Sequence, residues 1–376
     1  MKKLLILSFT DAERDPRVFR QAALLRDEYA VTVAGLGDPG LEGVVFAPIV
    51  PRPAATILGR VWRAGNLLLG NSAPFLQRFA LKQPEALHAQ HYDAVIVNDA
   101  EPLPLGFSLA KGAPVIFDAH EYYPRQYEDL YWKIFAKPHL TRLCARYIPQ
   151  CAAMITVCPG IAAAYNERFG LWPEVMFNAP FQRDSPVNPV AADRIRLIHH
   201  GGASSDRHLE VMLDMMRFTE ARFTLDMMLV GPEDYIRSLQ KRGEGLANIN
   251  WRPPVPMPLL VEIINTYDIG IYSLAPTSFN TTYALPNKFF EFIQARLAIA
   301  IGPSPEMAAI VKEHDLGIVA DDFTPRSLAA KLNALTPEDI MRFKRNADKA
   351  AAIYNAQESL KVLKKVLQGA LEKGTA

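Results

Sequence analysis

Short runs of consecutive apolar, β-rich residues recur along this chain, separated by stretches of helical period. That alternation is what most narrows its fold. In the first half the runs are Leu4–Thr10, Val31–Leu36, Val44–Ile49, Ala94–Asn98, Pro114–Asp118, Ile155–Cys158 and Val175–Asn178. In the second half they are Leu197–Gly201, Thr224–Val230, Asn248–Trp251, Ile269–Leu274, Ala298–Gly302 and Gly317–Ala320. Most lack the in-and-out alternation of a half-exposed strand, as expected of parallel strands covered on both faces. Between them Asp15-Pro16 opens a helix carrying Val18, Ala22 and Leu25, and Asp206 precedes one carrying Leu209, Met212, Leu213 and Met216. This βαβ order predicts an α/β protein of two Rossmann-like, doubly wound parallel-sheet domains. A length of 376 residues agrees with two domains, at about 150 residues each.

Pro180, Pro186 and Pro189 interrupt a polar stretch around Phe181–Asp193, which marks the boundary. The expected domains are 1–185 and 186–356, with a last helix, 357–376, packing back on the first. Met1-Lys2-Lys3 and the apolar run after it resemble a signal peptide, but the run stops at Asp11 with no small-residue cleavage site, so a first strand is expected. A net charge of +1 excludes bulk attraction to nucleic acid. Cys144, Cys151 and Cys158 are an odd number in a large chain; they read as core thiols in a cytoplasmic protein. No apolar run approaches the ~18 residues of a membrane span. Two stretches, 52–82 and 122–147, mix aromatic residues with Arg52, Arg60, Arg63, Arg78 and Lys82, and with Lys133, Lys137, Arg142 and Arg146. Such composition suits peripheral contact with an anionic membrane face, as well as core helices with solvated basic sides.

Tyr283-Ala284-Leu285-Pro286-Asn287-Lys288-Phe289-Phe290-Glu291 follows one apolar run and opens a helix at a strand's carboxyl end, where open α/β sheets bind ligands. Pro286 is expected to pre-set the first turn, with Lys288 and Glu291 on one face and Phe289, Phe292 and Ile293 on the other. A cation and a carboxylate so placed suit the phosphates and the ribose hydroxyls of a nucleoside diphosphate. His199-His200-Gly201-Gly202-Ala203-Ser204-Ser205-Asp206-Arg207 ends another run in glycines, a helix start and a phosphate-binding guanidinium. In the first half, Asp118-Ala119-His120-Glu121 ends an apolar run, where ionisable groups belong to a cleft rather than a core. Asn98-Asp99-Ala100-Glu101 and Asp15-Pro16-Arg17 lie at or just after the ends of two others.

Taken together, Asp15-Pro16-Arg17, Asp118-Ala119-His120-Glu121, Asn178, Gly201-Gly202…Arg207 and Pro286-Asn287-Lys288…Glu291 resemble glycosyltransferase family 4 and its relatives of the GT-B fold. The resemblance implies two Rossmann-like domains facing each other across a cleft, an acceptor-binding first domain, and a second domain holding a nucleotide sugar without a metal. It implies diphosphate contacts from Arg207 and Lys288, helped by Gly201, Gly202 and Asn287, and a ribose contact from Glu291. His120 would approach the donor sugar, and Asn178 would be structural or touch ligand. Arg17 and Glu101 fall on the acceptor side. Tyr283 stands where the family motif has its first glutamate, beside the transferred sugar; this departure leaves retention or inversion open. For an inverting reaction, Asp99, Asp118 or Glu121 would be the base.

The expected activity is transfer of a sugar from a nucleoside diphosphate sugar, UDP-linked by preference, to an acceptor hydroxyl in polysaccharide or glycoconjugate synthesis. No cofactor is implied beyond that donor. The acceptor is a saccharide or a lipid-linked saccharide, reached at the inner face of the membrane. A nucleotide-sugar epimerase of the same fold would turn over without acceptor, and a non-catalytic scaffold would bind nucleotide without turnover.

Overall fold

The computed structural model describes residues 1–51, 65–66, 79–81, 84–126, 128, 130 and 132–373. Arg52, Arg60, Arg63, Arg78 and Lys82, which carry the basic character of the 52–82 stretch, lie outside the described residues. The chain divides into two compact units. One is Met1–Asn178 with Ser278–Asn280 and Ser359–Ala376; the other is Ala179–Thr277 with Thr281–Glu358.

The first unit holds β1 (Lys3–Leu7), β2 (Ala30–Gly35), β3 (Val45–Pro51), β4 (Phe79–Leu81), β5 (Ala94–Asn98), β6 (Val115–Ala119), β7 (Ala153–Thr156) and β8 (Glu174–Val175). Their order is β4-β3-β2-β1-β5-β6-β7-β8, parallel except for β4 against β3. Every expected strand is present within a few residues. The addition is β4, a three-residue antiparallel edge too short to show a pattern. From β1 the chain winds outward through β2 and β3, then returns to β5 on the other side, so β1 and β5 flank the topological switch point.

Helix α1 (Pro16–Leu25) starts as its sequence requires, with Asp15 Oδ1 accepting from the Arg17 and Val18 backbone N–H groups at 3.0 and 3.3 Å. It lays Val18, Ala22 and Leu25 on Leu4 and Ile6 of β1, Val31 and Val33 of β2 and Ile96 of β5. The same cluster takes Leu363, Leu367 and Ala370 from a long final helix, Ala356–Lys373.

The second unit holds β9 (Ile195–Gly202), β10 (Phe223–Val230), β11 (Ile249–Arg252), β12 (Ile269–Tyr272), β13 (Ala298–Ile301) and β14 (Gly317–Val319). They pair in parallel in the order β11-β10-β9-β12-β13-β14, with the switch point between β9 and β12. The helix expected after Asp206 starts later. A 3₁₀ turn, Ser205–Arg207, and a left-handed His208 (φ 48°) intervene before helix α2 (Glu210–Met215).

Helix α3 (Asn287–Gln294) also departs from expectation. Pro286 is its N-cap in an extended conformation (φ −79°, ψ 158°), and Asn287 is the first helical residue. Proline fixes φ but leaves ψ free, so the chain turns helical one position later. Lys288 through Gln294 are all buried, so the two-faced helix expected from the phenylalanines is enclosed on every side. Phe292 lies so close to β12 that a Cβ on Gly270 would fall 2.3 Å from its ring. Gln294 Nε2 donates to the carbonyls of Ala351 and Tyr354 at 2.7 and 2.9 Å. Cys144, Cys151 and Cys158 are buried and form no disulfide, and burial pushes the Cys144 and Cys151 thiols up to about 12.

Candidate functional site

Each unit gathers its ionisable residues at the carboxyl end of its sheet. In the first unit the organising charge is Asp118, the fourth residue of β6, paired in register with Asn98 at the end of β5. It is fully buried. Arg17 donates to it twice, Nη2 to Oδ1 at 2.6 Å and Nε to Oδ2 at 2.7 Å, and Gln21 Nε2 adds a third bond at 2.6 Å. Arg17 and Gln21 lie four residues apart on α1 and therefore share its face. Arg17 also donates to the Met176 carbonyl at 2.9 Å. One turn along, Arg20 Nη1 donates to Asn178 Oδ1 at 2.7 Å, which ties Asn178 to α1.

The charge of Asp118 is thus met inside the protein. Neither it nor Arg17, only 2 % exposed, is presented to a ligand. This differs from the sequence expectation of Asp118 as a base and Arg17 as an acceptor contact. The physical reason is that a carboxylate at this depth is tolerable only with its lone pairs filled.

Above this layer is a cavity of about 350 Å³ lined by Thr10, Asp99, Glu101, His120, Glu121 and Gln126 among others. Asp99 is left-handed (φ 70°), a conformation that aspartate tolerates better than most residues. Its Oδ1 lies 3.3 Å from His120 Nδ1 and accepts a hydrogen bond from the Tyr123 hydroxyl. Burial and the Asp99 charge push Tyr123 well above its ordinary value, so it stays a donor. On the other edge of the ring, His120 Nε2 meets Asn98 Oδ1 at 3.1 Å. Asp99, Glu101, His120 and Glu121 are therefore brought together on one cavity. Gln21 was missed, although its place four residues after Arg17 was the available signal.

In the second unit, β9 ends at Gly201 and Gly202. Gly201 has φ +106°, which residues with a Cβ rarely adopt. Arg207 folds back over Gly202, with Nη1 3.3 Å from the Gly202 carbonyl. Beneath Gly201 lies the Lys288 ammonium, 4.4 Å from the centre of the Tyr272 ring and 3.5 Å from His199 Nε2. The other nitrogen of His199 faces the Ile271 carbonyl at 3.0 Å and so carries the proton, turning a lone pair toward Lys288. Burial first, then Arg207, pulls Lys288 down to about 7, while Glu291 partly opposes them.

Glu291 lies one helical turn beyond Lys288, its Oε2 3.6 Å from His200 Nε2. Burial, then Lys288, pulls His200 down to about 3, so it is neutral. His200 Nε2 has no hydrogen-bond partner. Gly201, Gly202, Arg207, Lys288 and Glu291 thus form one group, with His199, His200 and Tyr272 supplying its walls. Asn287 is half-buried at the start of α3, and Tyr283 is half-buried in the turn preceding it.

Residues 21–178 match the family model described as Glycosyltransferase Family 4, so the resemblance read from the motifs is borne out across that stretch. The matched stretch lies in the first unit, and the likeness of the whole chain to solved glycosyltransferases is one of fold. Solved structures of similar fold include HepE from Anabaena in complex with UDP and glucose: 14% identity, 98% of this chain and 100% of that one, TM-score 0.70. They include sucrose-phosphate synthase from Thermosynechococcus elongatus, at 12% identity over 98% and 99% of the two chains, TM-score 0.71. WaaG, a glycosyltransferase involved in lipopolysaccharide biosynthesis, matches at 10% identity over 96% and 98%, TM-score 0.63. No curated protein sequence matches the chain. Among the described residues no helix is long and apolar enough to cross a membrane.

Proposed function

We propose that this enzyme transfers a sugar from a nucleoside diphosphate sugar to an acceptor hydroxyl, the second unit holding the donor and the first the acceptor. The observation that carries the reading is Lys288: a buried ammonium against an imidazole and a ring face, beside Arg207 at the end of β9. A diphosphate would complete that charge. Lys288 and Arg207 would stabilise the negative charge that grows as the diphosphate departs, fixed electrostatics of the kind that commonly dominates catalysis, so no metal is called for. Glu291 accepts from the ribose hydroxyls. A UDP-linked donor is favoured, supported by the UDP-glucose complex of HepE, which shares this fold. Asp99, Glu101 and Glu121 offer acceptors to saccharide hydroxyls in the first-unit cavity, with His120 as the group that exchanges a proton. Polysaccharide or glycoconjugate synthesis on the cytoplasmic side is the setting. Exposed Leu130 and Ile134 beside Lys133 support contact with the inner membrane face and a lipid-linked acceptor.

The test is thermal stabilisation by UDP-, GDP-, ADP-, dTDP- and CMP-linked sugars. One nucleotide should stabilise preferentially, and the effect should be lost in Arg207→Ala. Glu291→Gln should weaken binding by roughly 1.5–3 kcal/mol, about ten- to a hundredfold. Stabilisation by none of them, at concentrations that saturate weak sites, would reject the donor assignment. Binding without turnover of any donor would instead favour the scaffold reading that Tyr283 motivates.

A further inference from the structure

The polar groups beneath the first-unit cavity form a hydrogen-bond chain with a fixed direction. It starts at Asp118, whose carboxylate oxygens both accept from Arg17. The Gln21 atom 2.6 Å from Asp118 Oδ2 must be the amide nitrogen, because an oxygen there would face a carboxylate oxygen. Gln21 Oε1 is thereby turned to Asn98, whose amide nitrogen donates to it at 3.0 Å. Asn98 Oδ1 is then the atom 3.1 Å from His120 Nε2, and Nε2 needs a hydrogen to meet it. Asp118, Gln21 and Asn98 are at most 3 % exposed, so solvent does not compete for these bonds.

The opposite ring nitrogen has different surroundings. Nδ1 lies 3.3 Å from Asp99 Oδ1, on the cavity side. The charged and titratable groups around the ring are Asp99 after β5, Asp118 on β6 with Oδ2 4.0 Å from Nε2, and Glu101, Glu121 and Tyr123 in the cavity wall. Tyr123 already gives its proton to a bond with Asp99.

We infer that Gln21 and Asn98 are positioning residues that keep a proton on His120 Nε2, making Nδ1 the nitrogen that takes up and releases a proton. This deepens the acceptor-side reading and rests on it for its consequence. A hydroxyl bound in the cavity would pass its proton to Nδ1: the O–H bond breaks, an N–H bond forms, and the electron pair stays on oxygen. The imidazolium so formed lies against Asp99, whose Oδ1 is 3.3 Å from Nδ1.

The tautomer can be read directly in the full chain labelled with ¹⁵N in histidine, by two-bond ¹H–¹⁵N correlation at a pH where the ring is neutral. His120→Gln assigns the resonance. The expected wild-type form carries its hydrogen on Nε2. In Gln21→Met, which keeps similar volume but frees the Asn98 amide to turn, the hydrogen should move to Nδ1. A wild-type hydrogen on Nδ1, or an unchanged tautomer in folded Gln21→Met, would overturn the inference. Should Gln21→Met not fold, the wild-type spectrum decides alone. No donor or turnover is needed, so failure here is distinct from failure of the transferase reading. In turnover, Gln21→Met should lower kcat about tenfold and leave the donor KM unchanged; a change confined to KM would count against it.

Discussion

The two units bury charge in opposite ways. Asp118 in the first is met by a bidentate guanidinium and an amide from its own unit, leaving nothing for a ligand to supply. Lys288 in the second is held by a neutral imidazole and a ring face, and burial drags it down to about 7. A filled charge anchors structure, whereas a buried ammonium beside the Arg207 guanidinium, only partly offset by Glu291, favours whatever anion arrives. The first arrangement holds structure; the second is where the proposed donor diphosphate would bind.

Arg17→Met gives the largest effect that separates them. It strands a fully buried carboxylate, so unfolding stability measured in urea should fall by ~3–5 kcal/mol. A loss near zero would mean that Asp118 does not depend on Arg17, and the contrast would collapse.

Lys288→Met should do the reverse. Stability should hold or rise, because a buried ammonium is removed. Nucleotide affinity, measured by calorimetry, should fall by roughly 1.5–3 kcal/mol. Marked destabilisation with intact binding would make Lys288 a structural residue like Arg17.

The smallest effect is a pH dependence. In the empty site Lys288 loses its proton as pH rises through about 7, while bound diphosphate favours the charged form. Affinity should therefore be full below that pH and fall above it by up to about tenfold per unit, since 1.36 kcal/mol accompanies each pKa unit. Titrations at pH 8 in buffers of different ionisation enthalpy should show proton uptake, absent in Lys288→Met.

The strands were legible because a parallel strand buried on both faces leaves an uninterrupted apolar run. Ala94–Asn98 was read to the residue. Phe79–Leu81 was not, since a three-residue edge strand has no period to detect. At the sites, residue types at strand ends gave the locations but not the depths. Arg17 and Asp118 read as available charges, yet each consumes the other, a fact held in the packing of α1 on β6 rather than in either residue. Gln21 drew no reading because an amide carries no sign of the carboxylate that will meet it. Likewise Lys288 and Glu291 read as one face of a two-faced helix, and helix α3 proved buried all round because neighbouring elements also cover its polar side.

The final helix, Ala356–Lys373, begins in the second unit and ends in the first. The Ala356 N–H donates to the Pro180 carbonyl at 2.8 Å. Only a few residues later Ser359 bonds to the Phe177 carbonyl at 2.9 Å, and Leu363 and Leu367 enter the core built on β1. The unit translated first is therefore completed last. Until the ribosome has released these residues, the apolar surface around Leu4, Ile6 and Val31 lacks part of its cover, and chaperone binding to the nascent chain should concentrate there.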